Sequence, residues 1–235
     1  MPEQVNIDAR LLAIWREVAE LGEPLPAEDR LAEMLGAGRP MVREMLIRME
    51  ADGLIRRQHG AGTFANRGAL ELPFRLDRAA EFSVLLVEAG FVASTELLEA
   101  EVVQLDAGDA GVLDIPEGSW ALRTLKRWFA DGQPVMVARD TIPLRQRIEV
   151  PEPPLESVLD LAQGVGRGAP DWLSTGVSAA NADIFMARLL GVEPGHPLLL
   201  LDQLGMDRHG RRVFHAHEYH AGGLVRFGMV RTVRS

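Results

Sequence analysis

The residues best suited to bind a ligand are two arginines one helical turn apart. Arg39 and Arg43 flank Pro40 and Met41, and proline suits the first turn of a helix because its missing N–H would have no partner there. A guanidinium on the leading turn of an exposed helix can donate two hydrogen bonds to guanine O6 and N7, or to a phosphate. The spacing therefore indicates a helix that can enter a DNA major groove.

A glycine-rich turn follows about twenty residues later. The residues are His59, Gly60, Ala61 and Gly62, and Thr63 comes directly after them. Glycines let a backbone approach the minor groove closely, and a hydroxyl group with neighbouring N–H groups suits phosphate oxygens. The pattern predicts a second DNA contact at the tip of a hairpin.

The distribution of charge agrees with such a contact. The whole chain has a net charge of −9, but residues 39–67 hold six arginines against three carboxylates, a net of +3. A basic face on an acidic body can bind the phosphate backbone locally while the remainder repels it. This favours specific over indiscriminate DNA binding.

The elements that would position these residues can be read from apolar spacing. Helices are expected over residues 8–21, 27–35 and 40–52, with glycines in the turn before the third, and short strands over 54–58 and 63–65. Two short helices, a tight turn and a hairpin form a winged helix-turn-helix. The alternative is a small helical core with merely solvated arginines, but the order of the features favours DNA binding.

Composition limits the remaining possibilities. The chain has 235 residues and no cysteine, which excludes disulfides, thiolate metal sites and a cysteine nucleophile. No apolar run approaches the roughly 20 residues of a membrane span, and the polar N-terminus does not resemble a signal peptide. We therefore expect a cytoplasmic protein without a membrane contact.

Strand signals dominate the second part of the chain. Helices are expected over 78–89, 155–161 and 181–190, a mobile glycine-rich stretch over 163–170, and a strand over 95–104. Hairpins are expected from 120–129 with 134–142 and from 198–206 with 213–219. Hairpins with interspersed helices predict an α+β domain with a largely antiparallel sheet.

The N-terminal motifs resemble the GntR family of bacterial transcription regulators. The family pattern LP-x-E…LA…LG…R-x-x-VRE-x-L…L-x-x-x-GL…R-x-G-x-GTF is matched nearly throughout by residues 25–64. The resemblance implies that the leading turn of the third helix and the wing tip touch DNA. The candidate DNA contacts are Arg39, Pro40, Met41, Arg43, His59, Gly60, Gly62 and Thr63.

Three features depart from the family pattern. Gly38 stands where Ser or Thr is usual, which removes a side-chain cap or phosphate contact, and Met41 replaces a common Thr. The connector at residues 22–24 is several residues shorter than is typical. No operator sequence can therefore be carried over from the family.

The later motifs resemble the UTRA domain of the HutC-type branch of that family. They are FADGQPV at 129–135, LLGVEPGHPLLLLDQL at 189–204 and DRHGRRVFHAHEYH at 207–220. The resemblance implies a fold similar to chorismate lyase, with a small-molecule pocket. We expect a DNA-binding domain at 1–68, a linker at 69–77, and an effector-binding and dimerisation domain at 78–235.

The resemblance also implies where an effector would bind. Family members with phosphosugar effectors use arginines before the Asp131-Gly132 turn and glutamates on later strands; this chain has Trp128, Lys126, Ala138 and Phe214 there. One cation remains, so the expected effector is less polar than a typical sugar phosphate, though it can be anionic. Glu218 and His220 share strand parity with Phe214 and could line the same pocket. Equally, Trp128 and Phe214 could be core residues.

A metal site is not expected. His215 and His217 point to one face of their strand and could chelate, but His220 lies on the opposite face and neither a cysteine nor a clear carboxylate completes the set.

These features predict a homodimeric transcription regulator that binds an inverted-repeat operator and responds to a small-molecule effector. Repression is the commoner behaviour in the family that the chain resembles, and activation is the alternative. No cofactor and no catalytic residue is expected. The alternatives are a lyase-like enzyme with a fused DNA-binding domain, although no nucleophile elbow or paired-carboxylate motif occurs, and a purely architectural DNA-binding protein.

Overall fold

The computed structural model describes residues 2–58, 60–72, 74–77, 80–152 and 157–231. The chain divides into two compact units, Met1–Arg78 with Phe227–Ser235, and Ala79–Arg226. The predicted α+β class with a largely antiparallel sheet is confirmed. None of the helices in these described ranges has the length and apolar character needed to cross a membrane.

Three helices form the body of the first unit. They are α1 (Pro2–Leu21), α2 (Glu28–Leu35) and α3 (Arg39–Ala51). Helix α1 begins earlier than the predicted residue 8, because the apolar spacing that marked the helix starts only at Leu11. Gly36, in the left-handed conformation with φ of 65°, ends α2. The shared core consists of Leu11, Trp15, Val18, Leu25, Leu31, Leu35, Val42, Met45, Leu46, Met49, Ile55 and Ala69.

A two-stranded wing follows the helices. Strand β1 (Ile55–Gln58) pairs antiparallel with β2 (Gly62–Ala65), so that Arg57 lies opposite Thr63. The carbonyl of Thr63 accepts a hydrogen bond of 2.7 Å from the N–H of Leu25, which fixes the wing to the segment before α2. The predicted winged helix-turn-helix is therefore confirmed.

The first unit also contains the C-terminal end of the chain. After a 3₁₀ turn at Arg67–Ala69, strand β3 (Phe74–Arg75) pairs in parallel with β10 (Phe227–Gly228). Arg75 donates to the carbonyl of Asp52 at 2.8 Å and forms an ion pair with Asp77. The expected ranges 69–77 and 78–235 did not include the pairing of β3 with β10, because a pairing between distant parts of the chain leaves no local sequence signal.

The second unit is built on a six-stranded antiparallel sheet in the order β4-β5-β6-β9-β8-β7. The strands are β4 (Ala93–Gln104), β5 (Trp120–Ala130), β6 (Gln133–Pro143), β7 (Trp172–Asn181), β8 (Pro197–Met206) and β9 (Arg212–Ala221). Asp131 and Gly132, with φ of 50° and 79°, turn β5 into β6, as expected for an Asp-Gly hairpin.

Four short helices complete this unit: α4 (Phe82–Glu88), α5 (Ala107–Val112), α6 (Val158–Gly164) and α7 (Ile184–Leu190). Three of them, α4, α6 and α7, begin later than predicted, and side-chain caps determine the starts of α6 and α7. Asp183 caps α7 by accepting from the N–H of Met186 at 2.7 Å, and Ser157 caps α6 by accepting from the N–H of Asp160 at 3.0 Å. Residues 78, 79, 155 and 156 of the predicted helices lie outside the described residues.

Two elements of the second unit, β7 and α5, were not predicted. Strand β7 is an edge strand whose residues are mostly exposed, so it lacks the apolar alternation that marks a half-buried strand. Helix α5 contains Gly108 and Gly111, which weaken helix propensity, and it is stabilised by the Asp106 cap and by Ala110 in a buried cluster.

The pairing register assigns side chains to two faces of the sheet. On the first face, Phe214 packs with α6 and His220 packs with Phe82 of α4. On the second face, Leu125 and Val137 pack against α7, and the same face carries α5 through the ion pair between Arg123 and Asp109.

Candidate functional site

Helix α3 presents the predicted arginines to solvent. Val42, Met45, Leu46 and Met49 are its buried residues, and this burial turns Arg39, Pro40 and Arg43 outward as exposed residues while Met41 is half-buried. The helix begins after Gly38, which has no side chain to cap it, with Pro40 in the first turn. Two guanidinium groups and an apolar side chain therefore share an exposed leading turn.

Arg39 has an ion-pair partner within the unit, and Arg43 is an exposed residue on the same side of the helix. Arg39 forms an ion pair with Asp29 of α2, and both side chains are largely exposed, at 68% and 61%. Because water screens such a pair, its contribution to stability is small, and a phosphate can replace Asp29 at little cost.

The wing tip combines open backbone with flanking arginines. Gly60 and Gly62 have φ of 75° and 114°, conformations that favour glycine, and Thr63 is half-exposed. His59 lies outside the described residues. Arg56 and Arg57 of β1 are exposed too, and Arg57 lies 3.4 Å from Glu50. These two arginines were not among the candidate contacts, although their position beside the glycine-rich turn could have suggested them.

The first face of the sheet brings five of the six candidate effector residues into adjacent rows. Lys126, Ala138 and Glu218 lie directly opposite one another on β5, β6 and β9. Trp128 and His220 occupy the next row, on either side of Met136.

Lys126 is buried inside the unit, and its charge is balanced by a carboxylate. Its side chain is 1% exposed, and its Nζ lies 2.7 Å from Oδ2 of Asp140. Thr124 donates a 2.9 Å hydrogen bond to the same oxygen, and the indole of Trp128 has its centroid 5.4 Å from Nζ. Asp140 and Thr124 were missed by the sequence reasoning, although strand parity with Ala138 and Lys126 places them on this face.

A second carboxyl group lies near this cation. Ser157 donates a 2.6 Å hydrogen bond to Oε1 of Glu81, which joins the residues preceding α6 and α4. Burial raises the pKa of the Glu81 carboxyl above its ordinary value, against the opposing influence of the Ser157 hydrogen bond and of Lys126.

Of the remaining candidates, Phe214 has apolar neighbours, whereas Glu218 and His220 form a polar pair. Phe214 is 1% exposed and packs with Leu122 and Ile142; its ring lies over Gly205, where a Cβ atom would be 2.1 Å from the ring. His220 is also buried, with Nε2 3.2 Å from Oε2 of Glu218. Phe214 thus belongs to the apolar part of the first face, and the polar candidates cluster around Lys126 and His220.

The second face contains an open cavity of about 490 Å³. Its lining includes Glu99, Glu101, Asp109, Arg123, Arg139 and His217. His215 also lines it, and Asp202 of β8 lies directly opposite His217. The Oδ1 atom of Asp202 is 2.7 Å from Nε2 of His215 and 3.9 Å from Nε2 of His217. The expectation that no carboxylate would accompany these histidines was therefore wrong, because it did not include the neighbouring strand.

Comparisons with known proteins agree with both units. The model of "Bacterial regulatory proteins, gntR family" matches residues 6–65, and the UTRA domain matches residues 88–226, more than half of the chain. The HTH-type transcriptional repressor NagR of Bacillus subtilis is 23% identical over 205 residues, covering 87% of this chain and 84% of that protein.

Solved structures share the fold. The possible transcriptional regulator YydK of Bacillus subtilis superposes with a TM-score of 0.73 at 14% identity, covering 99% of this chain and 100% of that one. PhnF of Mycobacterium smegmatis gives 0.57 at 21% identity, covering 94% and 100%. The chain therefore belongs to the gntR family of bacterial regulatory proteins that carry a UTRA domain, and it is a DNA-binding transcription regulator with a ligand-binding C-terminal domain.

Proposed function

We propose that the protein is a homodimeric repressor that binds an inverted-repeat operator in the cytoplasm and leaves it when a small effector binds the first face of the sheet. The observation that carries the proposal is the exposed leading turn of α3, where Arg39 and Arg43 stand beside a wing with a glycine tip. Such a turn can read base edges while the wing contacts the sugar-phosphate backbone.

The proposed DNA contacts are divided between the two elements. Arg43 reads bases in the major groove, Arg39 exchanges Asp29 for a phosphate, and Pro40 and Met41 provide apolar contact. The wing contributes His59, Gly60, Gly62 and Thr63. The exposure of Arg39, Pro40 and Arg43, the open glycines of the wing and the local excess of arginine support the assignment.

A two-fold dimer would explain how an effector changes operator affinity. Half-sites on DNA have a fixed spacing, so that any change in the distance between two DNA-binding units weakens the binding of one of them. NagR, with which most of this chain aligns, is a transcriptional repressor, which supports repression rather than activation.

The proposed effector site consists of Lys126, Trp128, Ala138, Glu218 and His220, with Phe214 forming the apolar end. A phosphate would have to displace Asp140 from Lys126, and it would also meet the carboxyl groups of Glu81 and Glu218. The effector is therefore a small molecule other than a typical sugar phosphate. The role is binding rather than catalysis, in agreement with the matches of this chain to transcription regulators.

Affinity selection of genomic fragments tests the DNA-binding part. The purified full chain is mixed with fragments at near-physiological salt, and the bound fragments are sequenced. We expect enrichment of one inverted repeat upstream of a few genes, and its loss with Arg43→Ala. Arg30→Ala is the matched control, because Arg30 is an exposed arginine on α2 paired with Glu33. Equal enrichment with Arg43→Ala would contradict the assignment of α3 to the major groove.

A ligand screen tests the effector part. Thermal melting is recorded with hexose phosphates and with a panel of uncharged and carboxylate metabolites, because a ligand that binds only the native state raises the melting temperature. We expect stabilisation by a member of the second group, and none by the phosphates. Saturable stabilisation by a hexose phosphate would contradict the proposed site.

A further inference from the structure

Asp202, His215 and His217 form a compact set of metal-ligating groups on the second face of the sheet. The two histidines alternate along β9, so that both side chains project to the same face, and Asp202 is the cross-strand neighbour of His217 on β8. One potential ligand atom from each residue lies within 4.8 Å of the others. Pairing between β8 and β9 thus brings Asp202 next to two histidines, the first of which lies thirteen residues later in the chain.

The distances suit a small divalent ion. In a tetrahedral zinc site with bonds of about 2.0–2.1 Å, neighbouring ligand atoms lie roughly 3.3 Å apart. The Asp202 oxygen lies 2.7 Å from one imidazole nitrogen and 3.9 Å from the other, values on either side of that separation. Because Asp202 is half exposed, at 52%, small rotations of its side chain would equalise the two distances.

The surroundings leave room for the remaining coordination positions. His215 and His217 line the open cavity of about 490 Å³, and their side chains are 11% and 36% exposed. Water, or a ligand from the cavity, could therefore complete the coordination of an ion held by three protein groups.

The local charge favours a cation. Among the described residues of the cavity wall, Glu99, Glu101 and Asp109 accompany Asp202, against Arg123 and Arg139. Arg123 is already paired with Asp109, and Arg139, opposite His217, is the cation nearest to the histidines in the strand pairing. The excess of carboxylates offsets the repulsion from Arg139.

We propose that Asp202, His215 and His217 bind one divalent transition-metal ion, with the chemistry of Zn²⁺. Two imidazoles and one carboxylate are ligands that Zn²⁺ accepts readily, and the set does not require cysteine. This site lies on the face of the sheet opposite the proposed effector site, so the inference does not depend on the proposed function.

Calorimetric titration with Zn²⁺ tests the proposal. The full chain, without a histidine tag and after treatment with a chelator, is titrated with ZnCl₂. We expect one ion per chain, with an affinity at least tenfold weaker in Asp202→Asn and in His217→Gln. The control is His209→Gln, which changes an exposed histidine in the turn between β8 and β9.

Two results would overturn the site. One is the absence of stoichiometric Zn²⁺ binding to the unmodified chain. The other is binding that Asp202→Asn and His217→Gln change no more than the His209→Gln control does. The melting temperatures of all variants are also recorded, to show that each variant is folded. Asp202→Asn keeps the size of an exposed side chain, so weaker Zn²⁺ binding by this variant reports loss of a ligand rather than loss of the fold.

Discussion

The candidate sites of the two units hold their positive charge in opposite ways. On α3, Arg39 and Arg43 are exposed, and the ion pair between Arg39 and Asp29 lies in water. In the sheet, Lys126 is 1% exposed and lies 2.7 Å from Asp140. An exposed arginine keeps its capacity for an external anion, whereas a buried lysine has its charge balanced internally. The comparison indicates that the first unit is suited to a polyanion and the second to a ligand that brings little negative charge.

The largest expected effect comes from breaking the buried pair. Asp140→Ala leaves Lys126 without its carboxylate, and loss of one partner of a buried ion pair costs about 3–5 kcal/mol. We expect this loss in the free energy of unfolding of the second unit, measured with urea. The double variant Lys126→Met with Asp140→Leu should recover most of it, because neither charge then remains buried. A loss below about 1 kcal/mol for Asp140→Ala would mean that water reaches Lys126.

The next effect concerns the exposed Arg43 on α3. Arg43→Ala should weaken specific operator binding by about 1–3 kcal/mol, the range for an arginine that pairs with a guanine. Stability and dimerisation should be unchanged, since Arg43 is exposed. Fluorescence anisotropy with operator and random DNA measures the difference, and Arg30→Ala serves as its control. Equal weakening on both DNAs would instead assign Arg43 to phosphate.

A smaller effect distinguishes Arg39 from Arg43. If Arg39 contacts a phosphate, Arg39→Ala should lower the magnitude of the slope of log affinity against log salt by about one. Asp29→Ala removes the competing carboxylate, and should leave that slope unchanged while slightly raising affinity. An unaltered slope with Arg39→Ala would exclude the phosphate contact.

The smallest effect is a pH dependence of the second unit. The folded pKa of Glu81 is raised above 4.5, so the folded state binds more protons than the unfolded chain, and stability is lost as pH rises through the raised pKa. Glu81→Gln keeps an acceptor for Ser157 without the charge. The melting temperature of this variant should fall less between pH 4.5 and neutrality than that of the unmodified chain. The same pH dependence in both proteins would show that Glu81 is well solvated.

The degree to which the sequence predicted each unit reflects how local its contacts are. In the winged helix-turn-helix, Gly36, Pro40 and the glycines of the wing mark turns through their own backbone preferences, so α2, α3, β1 and β2 follow from neighbouring residues. The edge strand β7 and the pairing of β3 with β10 depend on distant partners, and neither has a local pattern to reveal it.

The candidate sites divide in the same way. The exposure of Arg39 and Arg43 follows from the apolar residues on the other side of one helix, because helical periodicity is a property of the sequence itself. The family resemblance assigned Lys126 and Ala138 to one site, and they lie directly opposite each other across their hairpin. Asp140 was within reach of an argument from strand parity, but its contact with Lys126 depends on side-chain conformation and burial.

The sequence by itself therefore determined the family, the α+β class and the presence of a basic reading helix, since these rest on short motifs and on periodicity. Only the tertiary structure decided that Lys126 forms an ion pair with Asp140, and that Asp202 lies close to His215 and His217. The physical reason is that strand order and register bring together residues that are far apart in the chain, and burial then sets the charge that each group can present to a ligand.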